Sequence, residues 1–155
     1  MSKEIQPGEG GPGRDPSPFR CYTDGASRGN PGPSAYAYII VDGEGRIICQ
    51  DCGYLGKGTN NSAEYHAVIE SLKAAARYTR GKIVVFSDSE LVVRQITGRY
   101  RIRKDHLAAL CREALTSSSL FKGVEFQNVP RDHPFIARAD MLCNRVLDMH
   151  QGKMG

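Results

Sequence analysis

Residues 19–41 read FRCYTDGASRGNPGPSAYAYIIV, and this stretch decides the fold. Phe19, Cys21 and Thr23 alternate with Arg20, Tyr22 and Asp24, a period of two that predicts a β-strand. The glycines and prolines of GASRGNPGP predict that the strand ends at Asp24, and AYAYIIV predicts a second strand. VDGEGR is typical of a hairpin turn that leads to a third strand, RIICQDCGYL. The domain is therefore predicted to open with three antiparallel strands.

Helices and strands follow one another in the rest of the chain. Apolar residues recur every three or four positions from Ser62 to Tyr78, which predicts an amphipathic helix. The apolar run KIVVFSD, between Gly81 and Asp88, predicts a strand buried on both faces. The remaining predictions are helices over 89–97, 107–116 and 137–149, and a fifth strand, VEFQNV. This order predicts an α/β domain with a mixed five-stranded sheet flanked by helices.

Composition predicts one domain. The chain has 155 residues, of which 40% are hydrophobic and 25% charged, as in ordinary globular proteins. Residues 1–18 are rich in glycine and proline and predict a disordered tail, so the domain is expected to span 19–150, with a flexible C-terminus over 151–155. No apolar run approaches the ~20 residues that span a bilayer, and the N-terminus lacks a hydrophobic secretory segment. We therefore expect a cytoplasmic protein without membrane contact.

The cysteines predict thiols rather than a disulfide framework or a zinc site. Their number, five, is odd, and they are scattered along the chain. Cys49 and Cys52 form a CxxC, but residues three apart on a strand point to opposite faces, and no second ligand pair follows at zinc-finger spacing.

Four carboxylates stand in separate motifs: Asp24, Glu64, Asp88 and Asp140. They are predicted at strand ends or near helix starts, where open α/β sheets build ligand sites. Each also has a purely structural interpretation. Glu64 follows Asn61 by three residues, as in a helix capping arrangement, and Asp88 precedes a helix as an N-cap would. Asp24 could belong to a turn, and Asp140 could favour the positive end of a helix.

The motifs around these carboxylates settle which interpretation carries more weight. TDGASRGNPG, TNNSAE, FSDSELVVRQI and ARADMLCNRVLD occur in that order, and the chain after Phe19 resembles the type 1 ribonuclease H family over nearly its whole length. The resemblance implies an RNase H-like fold and an endonuclease that hydrolyses the RNA strand of RNA/DNA hybrids. It also implies that Asp24, Glu64, Asp88 and Asp140 are the catalytic, metal-binding carboxylates.

Phosphodiester hydrolysis needs an activated water, a stabilised leaving oxygen and neutralised phosphate charge, which two Mg²⁺ ions ~3.5–4 Å apart supply together. By resemblance, Asp24 would bridge both ions, with Glu64 and Asp88 completing one site and Asp140 the other. The implied products carry 5′-phosphate and 3′-hydroxyl ends. Mn²⁺ is expected to substitute for Mg²⁺, and the protein is expected to be a monomer.

Selection of a hybrid requires polar groups held close to successive ribose 2′-hydroxyls. By resemblance, the ribose, base-edge and phosphate contacts come from two loops, and a basic cluster after the second predicted helix would touch the duplex. These expected substrate-binding residues are Ser27, Gly29, Asn30, Lys57, Thr59, Asn60, Asn61, Arg99 and Arg101. Read alone, GNPG and TNN are plain turns, and the basic run is a solvated helix end.

Two departures from the family stand out. Some relatives insert a basic, tryptophan-bearing extension after this helix, whereas this chain has no Trp and passes almost directly to the next helix. Many relatives also carry a histidine about ten residues before the last aspartate, a position that here is Pro130. His133 is the nearest substitute, and we expect it to be catalytic as a proton carrier; the alternative is a surface loop histidine.

Two other functions stay open on the sequence. The first is a domain that binds hybrids without cutting them, against which the presence of all four carboxylates counts. The second is another nuclease of similar architecture, such as a proofreading exonuclease or a junction resolvase. An exonuclease should show Asp-x-Glu in its first strand, whereas Asp24 is followed by Gly25 and Ala26.

Overall fold

A computed structural model describes residues 17–152. The predicted tail over 1–18 and the predicted flexible C-terminus over 151–155 lie mostly outside the described residues. Nine elements follow in chain order: β1 Phe19–Ser27, β2 Gly32–Val41, β3 Ile47–Gly58, α1 Asn60–Ala75, β4 Lys82–Ser87, α2 Glu90–Ile96, α3 Asp105–Ser118, β5 Gly123–Asn128 and α4 Pro134–His150.

The five strands form one mixed sheet in the order β3-β2-β1-β4-β5. β1, β2 and β3 pair antiparallel, as their hairpin signals predicted. β4 joins β1 in parallel, and β5 joins β4 in parallel, because a helical segment precedes each of these strands and returns the chain to the same edge. The predicted α/β fold is confirmed.

The sheet has a hydrophobic core on each face, and β1 supplies both. Cys21 packs with α1 residues such as Tyr65 and Leu72, all fully buried. Tyr22, on the opposite face of β1, packs in a second core with α4 residues such as Cys143. Alternation along a central strand therefore fixes α1 on one face and α4 on the other.

Some predicted boundaries were wrong. β1 continues past Asp24 to Ser27, because its pairing with β2 persists after its pairing with β4 has stopped. α1 begins at Asn60 and α4 at Pro134, so Glu64 and Asp140 lie in second helical turns rather than at helix starts. β4 is fully buried on one face and only half-buried on the other, at Val84 and Phe86, rather than buried on both.

The cysteine prediction is confirmed, since all five are free thiols. Cys49 packs against the α1 core and Cys52 against the α4 core, on opposite faces of β3. Within residues 17–152, no helix is both long enough and apolar enough to cross a membrane.

Candidate active site

Two aspartates meet at the carboxyl ends of neighbouring parallel strands. The parallel register of β1 and β4 ends with Thr23 opposite Ser87, so the next residues along the two strands are Asp24 and Asp88. Adjacent strands lie about 4.8 Å apart, which places these two side chains within reach of one ion. Both are nearly inaccessible: Asp24 is 4% exposed, and the Asp88 side chain 7%.

Glu64 reaches this strand edge from α1 because residue 25 is glycine. A Cβ built on Gly25 would lie 2.2 Å from the carbonyl carbon of Ala63, far inside van der Waals contact. Without that Cβ, α1 approaches β1 closely enough for the Gly25 amide to donate to Glu64 Oε1 at 2.9 Å. The DG pair of the first motif therefore supplies one carboxylate and the space for the second.

Carboxylate oxygens of Asp24, Glu64 and Asp88 all lie within 4.8 Å of one another. Asp140 approaches from α4 closely enough to raise the pKa of Asp24, but it falls outside that tight trio. The structure thus brings three of the four predicted carboxylates into one cluster. The fourth, Asp140, lies on the side of Asp24.

This cluster has the properties of a divalent-cation site. Asp24 Oδ2 and Asp88 Oδ1 are buried oxygens that have no hydrogen-bond partner among the described residues. A buried carboxylate oxygen without a partner is costly, and a hard cation with oxygen ligands removes that cost. The donor set, oxygen only, fits Mg²⁺ or Mn²⁺ rather than zinc.

The same crowding changes the ionisation of the cluster. Burial raises the pKa of Asp24 from 3.8 to about 8, with further contributions from the charges of Asp88 and Asp140 and the hydrogen bond with Asp140. Burial also raises the pKa of Glu64 well above its usual range, again with help from the charges of Asp24 and Asp88. Burial and repulsion between neighbouring carboxylates therefore both favour the protonated forms of Asp24 and Glu64.

Arg131 supplies a positive charge that the sequence analysis did not single out. Its Nε lies 3.3 Å from Asp88 Oδ2, although 88% of the arginine side chain is exposed. Its charge also lowers the pKa of Asp24, partly offsetting the effects of burial. The sequence signal for Arg131 was its place in the loop VPRDHP, two residues before His133.

The structural interpretations of Glu64 and Asp88 as caps are wrong. Thr59 caps α1 and forms a capping box with Ser62, so Glu64 takes no part in it. Ser89 caps α2 by accepting from the Val92 amide, which leaves the Asp88 side chain free to face the cluster.

The two predicted substrate loops are joined to each other. The Ser27 amide donates to Asn60 Oδ1 at 2.9 Å, and the Asn60 amide donates to Asn30 Oδ1 at 3.1 Å. The Ser27 hydroxyl also donates to the Gly29 carbonyl. The connection between β1 and β2 therefore lies directly against the start of α1, beside the carboxylate cluster.

The other predicted substrate residues lie in varied surroundings. Lys57 ends β3 opposite Pro33, Thr59 is the α1 cap, and Asn61 lies half-buried in the first turn of α1. Arg99 and Arg101 are exposed in the segment between α2 and α3, and Arg99 lines a cleft with Asn128 at the end of β5. Among residues 17–152, no hydrogen bond joins these two arginines to the substrate loops.

His133 is the N-cap of α4. Its Nδ1 accepts from the Phe135 amide at 3.2 Å, and its ring stacks on Tyr22 with centroids 4.9 Å apart. Tyr22 is two residues before Asp24 on the same face of β1, so His133 is held near the cluster by a structural contact.

Comparison with known proteins gives consistent matches. The Reverse transcriptase-like family matches residues 22–146. Ribonuclease HI of Halobacterium salinarum is 39% identical over 149 residues, covering 93% of this chain and 68% of that protein. A bifunctional protein of Mycobacterium tuberculosis is 33% identical over 81% of this chain, which spans only about a third, 34%, of its length.

Solved structures agree with the sequence matches. The crystal structure of RNase H1 from Halobacterium salinarum superposes with a TM-score of 0.81 at 38% identity, over 84% of this chain and 98% of that one. LC11-RNase H1, solved in complex with an RNA/DNA hybrid, superposes with a TM-score of 0.80 at 32% identity, over 86% and 99% of the two chains.

Proposed function

Because the chain belongs to the type 1 ribonuclease H family, we propose that it is an endonuclease that hydrolyses the RNA strand of RNA/DNA hybrids. One observation carries the proposal: three carboxylates from β1, α1 and β4 converge within 4.8 Å, with two buried oxygens left without partners. A domain that only bound hybrids would gain nothing from this costly crowding of negative charge.

The proposed metal ligands are Asp24, Glu64, Asp88 and Asp140. Asp24 is the central member, since its carboxylate lies within 4.8 Å of those of Glu64 and Asp88 and its pKa is also raised by Asp140. Mg²⁺, with Mn²⁺ as a substitute, would supply Lewis-acid activation of water and stabilisation of the leaving oxygen, in a pair of ions. The expected ends are 5′-phosphate and 3′-hydroxyl, and the expected active form is a monomer.

The chain's own groups prepare the site in three ways. The Gly25 amide holds Glu64 Oε1 in place, so this ligand is oriented before any ion arrives. Arg131 neutralises Asp88 and would leave it when a cation binds, since its side chain is long and exposed. His133 accepts at Nδ1 as a helix cap, so its neutral ring has its proton on Nε2 and can donate a hydrogen bond there; to carry a second proton it would release the cap and protonate Nδ1.

Substrate selection is proposed to lie in the joined loops. Ser27, Gly29 and Asn30 form a tight turn whose polar groups are already ordered by Asn60. An ordered row of donors and acceptors beside the metal site suits ribose 2′-hydroxyls, which distinguish RNA from DNA. Lys57, Thr59 and Asn61 would extend this surface towards the DNA strand, and Arg99 and Arg101 would bind phosphates farther along the duplex.

The test is cleavage of a hybrid labelled on its RNA strand, in the presence of Mg²⁺. We expect internal cuts with 5′-phosphate ends, and no cuts in double-stranded RNA of the same sequence. Asp88→Asn should abolish cutting while circular dichroism shows the fold retained. Asp51→Asn, which changes an exposed carboxylate on the edge strand β3, is the matched control and should cut normally.

Three results would contradict the proposal. Equal cutting of double-stranded RNA would remove the hybrid specificity, and an active Asp88→Asn protein would remove the metal cluster from the mechanism. Binding of the hybrid by the wild type without any cleavage would favour the non-catalytic alternative.

A further inference from the structure

Arg28 links the connection between β1 and β2 to α4, the last helix of the chain. Its Nη1 lies 2.7 Å from Asp148 Oδ1 and donates to Gln151 Oε1 at 2.5 Å. Its Nη2 donates to the side-chain and main-chain oxygens of Asn144, at 3.1 and 3.3 Å. Both terminal nitrogens are thus engaged on α4 and its C-cap, a multipoint contact suited to a guanidinium and impossible for a single ammonium.

The backbone of the same loop is closed just beyond this contact. The Arg28 amide donates to the Pro33 carbonyl at 2.8 Å, and a Cβ on Gly32 would lie 2.1 Å from the Arg28 carbonyl oxygen. Residues 28–33 therefore form a tight turn with no room for a larger residue at position 32. Movement of the Arg28 side chain would move the whole turn.

The turn is held from both faces of the sheet. On the α1 side, Asn60 binds Ser27 and Asn30. On the α4 side, Arg28 binds Asn144 and Asp148. Removal of Arg28 would abolish these polar contacts with α4 and leave those with Asn60.

The contact between Arg28 and Asn144 also connects the turn to the helix that carries Asp140. Asn144, which accepts from Arg28, donates through Nδ2 to the Asp140 carbonyl at 3.0 Å. Asp140 is the fourth predicted carboxylate and is carried by α4. The contacts of Arg28 therefore anchor the predicted ribose-binding turn to the helix that carries Asp140.

We propose that Arg28 is a positioning residue that fixes the turn 27–33 against α4, and so sets how tightly an RNA/DNA hybrid is held over the cluster. This inference rests on the proposed function. Arg28 acts through the turn, because its guanidinium is occupied by α4 and only 26% of its side chain is exposed. The carboxylates keep their own supports, so its loss should weaken substrate binding more than the chemical step.

The experiment compares steady-state kinetics of four variants of the full chain on a labelled hybrid with Mg²⁺. Arg28→Ala should raise KM about tenfold and change kcat by about twofold at most. Arg28→Lys should recover only part of the loss in substrate binding. A lysine ammonium can replace the ion pair with Asp148, but it cannot replace the two-nitrogen contact that the guanidinium makes with Asp148 and Asn144. Asp148→Asn should raise KM by about threefold, and adding it to Arg28→Ala should change nothing further, because both substitutions open one contact.

Arg46→Ala is the matched control, since Arg46 forms ion pairs with Asp42 and Glu44 in the β2–β3 turn. It should leave KM unchanged. A KM for Arg28→Ala equal to that of the wild type, even with a lower Tm, would overturn the proposal and leave Arg28 a purely stabilising residue. Additive effects of Arg28→Ala and Asp148→Asn would also overturn it.

Hydrogen exchange separates this proposal from the proposed function. If the wild type neither cuts nor binds hybrids, the function fails, but the positioning contact is still tested by the amides of residues 27–33. Arg28→Ala should speed their exchange by about tenfold while the amides at the centre of β1 stay protected. Unchanged exchange would overturn the positioning role whatever the substrate.

Discussion

Asp24 is the residue at which folding and metal binding make opposite demands. Its pKa is raised from 3.8 to about 8, mainly by burial. Between these values the unfolded chain has lost the proton of this carboxyl while the folded chain keeps it, so the folded state binds more protons. Stability of the metal-free protein therefore falls as pH rises from about 4 to about 8. A bound cation reverses this penalty, because it favours the ionised carboxylate.

We predict that Asp24→Asn raises the Tm of the metal-free protein at about pH 8 and reduces its fall with pH, because an amide cannot ionise. Thermal unfolding in EDTA across the pH range measures both effects. Part of the fall should remain, since burial also raises the pKa of Glu64. Saturating Mg²⁺ should raise the Tm of the wild type more than that of the variant. If the Tm of both proteins fell equally with pH, the loss of stability at high pH could not be assigned to the Asp24 carboxyl.

At the scale of single elements, strands were easier to predict than helix starts. Alternation in β1 and the apolar run of β4 follow directly from burial, so their positions could be read from the sequence. A helix start depends on which of several capable side chains makes one hydrogen bond. In SDSE both Asp88 and Ser89 could cap α2, and only the structure shows that Ser89 does.

The start of α4 combines a cap with a proposed catalytic group. His133 caps the helix through Nδ1, and Pro134 follows at the first helical position, a favoured place for proline. We predict that His133→Asn keeps the helix cap and lowers the Tm only slightly, through loss of the ring contact with Tyr22, but lowers kcat about a hundredfold through loss of proton transfer. His133→Ala should lose both activity and about 1 kcal/mol of stability.

Hydrolysis rates and urea unfolding of the two histidine variants decide between the roles. Full turnover by His133→Asn would restrict the residue to helix capping and remove it from the catalytic group.

At the scale of the whole molecule, the sequence predicted which carboxylates come together, Asp140 excepted, but not every contact around them. Asp24, Glu64 and Asp88 converge because the strand order puts β4 beside β1, and that order follows from the pattern of elements. The contacts of Arg28 with Asp148 and of Arg131 with Asp88 join long side chains from distant parts of the chain. No local pattern encodes such pairs, so they emerge only once the elements are packed.

Charge over the whole molecule predicts how hybrid binding responds to salt. The chain carries a net charge of +4, and a basic cluster of Arg94, Arg99, Arg101, Arg103 and Lys104 lies between or beside α2 and α3. Arg94 is already paired with Glu90 and lies over the Tyr100 ring, whereas Arg99 and Arg101 are exposed.

Each phosphate contact contributes about 0.9 to the slope of log affinity against log salt concentration. We predict that replacing Arg99 and Arg101 together by alanine lowers the magnitude of this slope by about two, with kcat at saturation unchanged. Titrations of labelled hybrid at several salt concentrations, with Ca²⁺ in place of Mg²⁺ to slow cleavage, give the slope. Arg112→Ala removes an exposed charge from α3, outside the cluster, and should leave the slope as in the wild type. An unchanged slope in the double variant would mean that the duplex does not reach this segment, and that the substrate surface ends at the loops around Asn30 and Asn60.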